Sequence, residues 1–127
     1  MSIVNQWLRH ARRDLLAAQV QAKSKVFIAE AVAFWSQQAV EKAIKAYLAA
    51  KKKRFRKTHD IDELIDVIES VDSKFGQGLR KLGIMTPYAV QIRYPEIARG
   101  KMTKAKAMKA LKLAEWALNY IREELSD

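Results

Sequence analysis

Every glycine and proline of the chain lies between Gly76 and Gly100, so residues 1–75 and 101–127 carry none of the strong helix breakers. Nowhere do apolar and polar residues alternate as a strand requires, and what repeats instead is helical spacing. Val4, Leu8, Ala11, Leu15, Ala18 and Ala22 recur at steps of four and three, the stripe of a first helix packed in a bundle. From about Val26 to Ala50 the apolar residues cover most of the circumference, as on a central helix with neighbours on several sides. Ser24, in the polar patch Lys23-Ser24-Lys25, is its candidate N-cap. Asp60 to Glu63 has the pattern of a capping box and opens a third helix with Leu64, Ile65 and Ile68 on one face. Ser73 to Leu82 fits a short helical turn, and Thr86-Pro87 fits a cap followed by a first-turn proline. The last helix repeats the stripe in Ala107, Leu111, Ala114, Leu118, Ile121 and Leu125. The expected architecture is all-α, an up-down four-helix bundle forming a single domain over residues 1–127. A loop-rich insert, with room for a short extra helix, precedes the last helix.

Composition narrows the chemistry. The 127 residues include no cysteine and only His10 and His59, so thiol chemistry is excluded and neither a metal site nor a cofactor is expected. The amino terminus is apolar first and basic afterwards, the reverse of a secretory signal. The most apolar stretch, Val26 to Trp35, is cut by Glu30 and falls short of the ~20 residues a membrane span needs. A cytoplasmic protein without membrane attachment is expected. The formal charge of +10 favours an anionic partner, namely nucleic acid, nucleotide or acidic protein, the alternative being a solvated lysine-rich surface. Charge is also polarised. Lys51, Lys52, Lys53, Arg54, Arg56 and Lys57 put six bases in seven residues, and six acids follow between Asp60 and Asp72.

Four groups of residues carry a resemblance. They are Arg13-Asp14-Leu15, the run from Phe34 through Gln37-Gln38-Ala39 and Glu41-Lys42-Ala43 to Ala46, Lys57-Thr58-His59-Asp60-Ile61 with Leu64, and Tyr88 followed by Ile92-Arg93-Tyr94-Pro95. In order and spacing they resemble the HEPN domain (higher eukaryotes and prokaryotes nucleotide-binding) over nearly the whole chain. The resemblance implies a helical bundle, a homodimer, and a setting beside a minimal nucleotidyltransferase, often in toxin–antitoxin systems. Many proteins similar to this family are metal-independent ribonucleases with an arginine, a short spacer and a histidine. Arg93 matches the arginine, but Ala98, Arg99 and Gly100 stand where the histidine belongs. Arg54 and His59 have the right spacing in a different place, and would be the catalytic pair only if the chain were a ribonuclease. The expectation is therefore a binding subunit for nucleotide or RNA phosphate, leaning away from an enzyme. A variant ribonuclease toxin and a protein-interaction module are the alternatives.

Arg93, Tyr94, His59, Lys42 and Lys45 are the candidate phosphate-binding residues. A guanidinium binds phosphate bidentately, tyrosine stacks a base, and lysine adds positive field. Set against this, Arg93 could be ion-paired to the acidic third helix with Tyr94 packed on the core, and His59 could simply help to cap that helix. Gln38, Glu41, Lys42 and Lys45 share one helical face, which faces solvent on the simpler reading or lines a cleft toward Arg93. Asp14 pairs with His10 on the simpler reading, or supports the cleft by orienting a lysine, with Gln38 and Glu41 as further support. Lys51, Lys52, Lys53, Arg54, Arg56 and Lys57 are either a solvated helix end or a diffuse RNA contact. Trp7, Trp35 and Trp116 read as core or dimer aromatics. Leu113, Trp116 and Tyr120 flank the last stripe with apolar surface beyond what one core consumes, which adds to the expectation of a homodimer.

Overall fold

The computed structural model describes residues 2–91 and 101–126, residues 90 and 91 by their backbone. Three long helices form the frame: α1 (Ile3–Ala22), α2 (Ala29–Ala50) and α6 (Lys104–Leu125). Between α2 and α6 lie α3 (Ile61–Val71), α4 (Ser73–Leu79), a 3-10 turn (Arg80–Met85) and the single turn α5 (Tyr88–Gln91). The all-α bundle is as expected, and no strand occurs among the described residues.

Helix α2 is the core element, packed against α1, α3, α5 and α6. Ala39, Val40, Ala43, Ile44, Tyr47 and Leu48 are buried in one apolar cluster with Ile61, Leu64, Ile65 and Ile68 of α3 and Ala114, Ala117 and Ile121 of α6. A second cluster, at the other end of the bundle, gathers Ala18, Val32, Ala33, Met102, Ala107 and Leu111. The small alanines let α1, α2 and α6 approach closely, as packing at native density demands.

Caps explain most of the boundaries. Ser2, Asp60, Asp72 and Thr103 each accept a backbone N–H from the residue three further on, satisfying an otherwise orphaned donor at the starts of α1, α3, α4 and α6. Ser24 does not cap α2. Its hydroxyl accepts from Val26 N in a local turn, and the helix begins at Ala29 without a side-chain cap. The capping box is half completed, because the Glu63 carboxylate is held by Arg56. Thr86 serves α3 instead of α5, its hydroxyl accepting from Ile61 N. At the other end of α2, Lys52 takes a left-handed conformation (φ 55°), while Lys52 N and Lys53 N donate to Ala49 O and Leu48 O. This is a Schellman closure with lysine where glycine is usual.

The breaker-bearing segment is more helical than its composition suggests. A Cβ on Gly76 would collide with Glu69 Cγ, and one on Gly83 would collide with the Asp62 carboxylate. These glycines let α4 and the following turn lie against α3; at these two sites they permit close approach within helical backbone. Phe75 of α4 is stacked between Tyr47 and Tyr120, and Tyr120 stacks in turn on Trp116, with Lys81 Nζ 3.7 Å from the Trp116 ring. Trp116 and Tyr120 are thus engaged within the monomer, and Leu113 packs on the same core. Leu113, Trp116 and Tyr120 nevertheless remain half-buried.

Candidate functional site

Three polar residues at four-residue spacing, Gln37, Glu41 and Lys45, run along the otherwise apolar α2 and are all buried. Glu41 is only 3% exposed and Lys45 7%, so for these two the solvent-facing reading of the stripe Gln38, Glu41, Lys42 and Lys45 is overturned, while Gln38 and Lys42 are half-buried. The row survives burial because its hydrogen bonds are satisfied. Glu41 Oε2 accepts from Lys45 Nζ at 2.9 Å, and Oε1 lies 3.2 Å from Gln37 Nε2 and 2.8 Å from His59 Nδ1. Gln37 also donates to the His59 carbonyl at 3.3 Å and receives a bond from Gln38 at 2.6 Å. The Lys45 ammonium sits 5.6 Å from the Trp7 ring of α1 and 5.9 Å from the Phe55 ring, two faces that suit a partly desolvated cation.

Residue His59 forms the outer end of the row. Its side chain is 55% exposed on one side and bonded to a buried carboxylate on the other. That contact orients the ring; Asp60 supplies the cap that His59 was expected to help make. Beside the row, Asp14 is buried and pairs with Lys42 at 2.5 Å. The simpler expectation, a surface pair with His10, is corrected: Asp14 holds Lys42 instead. The fold therefore brings His59 and Lys45 onto one carboxylate and holds Lys42 through Asp14 on the next face. Each of the two lysines already has an acid, which lowers what it offers a phosphate. Arg93 and Tyr94 lie outside the described residues.

The basic run separates into parts. Lys51, Lys52, Lys53, Arg54 and Lys57 are exposed, while Arg56 is held by Glu63 at 2.6 and 3.0 Å. That contact raises the Arg56 pKa and holds the Glu63 carboxyl below its usual range. Arg80, which the sequence reading did not single out, gathers the rest of the acidic helix. It bonds Glu69 at 2.8 Å, pairs closely with Asp66, and reaches the Asp62 carboxylate at 3.6 Å. Hydrogen bonds to Asp66 and Glu69 raise its pKa further above the ordinary arginine value.

Sequence reasoning also missed Gln37 as a member of the row, although its i, i+4 relation to Glu41 and Lys45 was readable. Among the described residues no three histidine or carboxylate side chains converge as a metal site would need, and no helix is long and apolar enough to cross a membrane.

Comparison with known proteins follows the same lines. A family model described as HEPN domain matches residues 4–124. The crystal structure of TT1696 from Thermus thermophilus is similar with a TM-score of 0.73 and 26% identity, covering 98% of this chain and 100% of that one. The structure of ST0689, described as an archaeal HEPN homologue, is similar in fold with a TM-score of 0.72 and 22% identity, covering 98% of each chain. No match was found among curated proteins.

Proposed function

Because the chain belongs to the HEPN family, we propose that it is a nucleotide- or RNA-phosphate-binding helical subunit, homodimeric, acting with a nucleotidyltransferase partner of the kind found in toxin–antitoxin pairs. The observation that carries this reading is the buried charged row of α2. Taking a carboxylate and an ammonium out of water costs several kcal/mol per ion, and apolar side chains of the same volume are often at least as stable. Charged groups kept in a core at such a cost are candidates for a functional site.

The row ends at His59, whose other ring nitrogen makes no hydrogen bond among the described residues. Helix α5 packs on α2, and the chain continues from Gln91 to Arg93 and Tyr94 within three residues. In this reading Arg93 is the phosphate ligand and Tyr94 stacks on the base. Calorimetric titration with ATP and with a five-nucleotide oligo(U) tests the assignment. Arg93→Ala is expected to weaken binding by about 1–3 kcal/mol, the scale of a charge-assisted hydrogen bond, with unchanged helicity. Unfolding of the variant, or unchanged binding, would overturn it.

One observation favours a second reading, a variant ribonuclease. The Glu41 carboxylate against His59 Nδ1 is how a general base is commonly oriented, and Arg54 precedes it by five residues. The expected result is no RNA cleavage in the presence of chelator. Cleavage that His59→Ala abolishes would promote this pair to an active site.

A further inference from the structure

We infer that the outer face of the first half of α6, with Lys23 at the end of α1, is a second contact surface for the phosphate backbone of an RNA strand; this rests on the RNA-binding reading and assigns it a further surface. Between Ile97 and Ala114 the chain has no acidic residue, and Lys101, Lys104, Lys106, Lys109 and Lys112 are all exposed. None of them comes within ion-pair distance of a carboxylate among the described residues. In the candidate site the situation is opposite, since Lys42, Lys45, Arg56 and His59 each face an acid.

Lys104 and Lys106, in the first turn, are also badly placed for the helix itself. The amino-terminal end of a helix carries partial positive charge, so cations in its first turns are disfavoured and acids preferred. The first turn of α6 has no acid. Helix stability thus does not explain the charge, whereas an anion on that face would relieve it. Lys109 and Lys112 border a surface cavity of about 390 Å³ with Ala105, Met108 and Leu113, and Lys112 and Met108 also border a neighbouring one of about 330 Å³ with Lys23, Gln19 and Glu115. The Glu115 carboxylate, the one acid present, accepts from Gln19 at 2.8 Å. Successive lysines at i, i+3 stand about 5–6 Å apart, a spacing from which neighbouring phosphates of one strand are reached. Lysine is depleted in the cores of protein interfaces and is a principal source of salt-dependent phosphate contact, so a nucleic-acid strand is favoured over an acidic protein.

The strip lies by the second apolar cluster, whereas Asp14, which holds Lys42 of the candidate site, lies nine residues of α1 before Lys23, roughly 14 Å at 1.5 Å per residue. That separates the two surfaces experimentally. Binding of a fluorescent twenty-nucleotide oligo(U) and of ATP is measured across salt for the unmodified protein and for a Lys106→Gln, Lys109→Gln, Lys112→Gln variant. A Lys→Arg counterpart and circular dichroism control for folding. Losing three phosphate contacts should flatten the salt slope by about 2 and weaken oligo(U) binding on the order of ten- to hundredfold at 0.1 M salt, with ATP affinity unchanged and the arginine variant retaining binding. A change of less than threefold overturns the strip and leaves the nucleotide-site reading intact. Failure of the unmodified protein to bind either probe overturns both. Displacement of oligo(U) by an equal or lower concentration of polyglutamate of the same charge would assign the strip to an acidic protein instead.

Discussion

Two regions of this molecule combine cations with carboxylates and do so in opposite ways. On the acidic third helix, Arg80 lies at the surface among Asp62, Asp66 and Glu69, and water screens every pair. On α2, Glu41 and Lys45 are paired inside the bundle, with Gln37, His59 and two aromatic rings closing the space around them. The surface cluster has water as an alternative partner for each group, so it can lose a member cheaply. Gln37, Glu41 and Lys45 have little access to such a partner, so these three stand or fall together. The contrast identifies the row, and not the more conspicuous charge runs, as the place where the fold accepts a cost in stability.

The largest effect should come from cutting the row on one side. Glu41→Ala leaves the Lys45 ammonium buried without its acceptor and the Gln37 amide with the His59 carbonyl alone, and a loss of about 3–5 kcal/mol is expected in urea unfolding. A loss below about 1 kcal/mol would mean that the site is wetter than its burial implies, and the comparison would fail. The same experiment on the surface cluster, Arg80→Ala, should cost only about 1 kcal/mol and less at high salt, since exposed pairs contribute little each. Equal costs for the two variants would break the contrast from the other side.

Replacing the pair as a unit sharpens it. Glu41→Leu with Lys45→Met exchanges two desolvated charges for apolar side chains of similar volume, so stability should return to within about 1 kcal/mol of the unmodified protein. His59 then loses the carboxylate that orients it, and ATP binding should fall. A stable double variant that binds ATP normally would make the row purely structural.

How much of this was readable beforehand follows from how far each signal travels along the chain. The α2 stripe and the Asp60 cap are local patterns, and both were legible because periodicity and capping involve residues three or four positions apart. The helical state of Ser73–Met85 was only partly so: glycine normally signals a break, whereas Gly76 and Gly83 are there for contacts with Glu69 and Asp62, which only tertiary structure supplies. The burial of Glu41 and Lys45 was hidden for the same reason. Charge on a helix face reads as solvent exposure until the partners are known, and these come from Trp7, Phe55 and His59 in other segments. The lysines of α6 were legible in principle, but the denser run from Lys51 to Lys57 outweighed them.

The smallest effect tests whether the third helix behaves as screened surface throughout. Glu63 is paired with Arg56 at the exposed start of α3, and hydrogen bonding to that guanidinium, chiefly, holds its carboxyl below the ordinary value of 4.5. A carboxyl with a depressed folded pKa favours the native state while both states are ionised. Its contribution is therefore present above about pH 4.5, and is lost as the pH falls through the lowered folded value, when Glu63 protonates in the native state too. Glu63→Gln keeps the size of the side chain and removes the charge, so its melting temperature should lie slightly below that of the unmodified protein at about pH 7, with the gap closing as the pH falls through the lowered folded value. Added salt at neutral pH should narrow the gap in the same direction, because the pair is solvent-facing. A gap that persists unchanged at both low pH and high salt would show that Glu63 acts through packing or capping geometry and not through its charge. The surface half of the comparison would then rest on Arg80 alone.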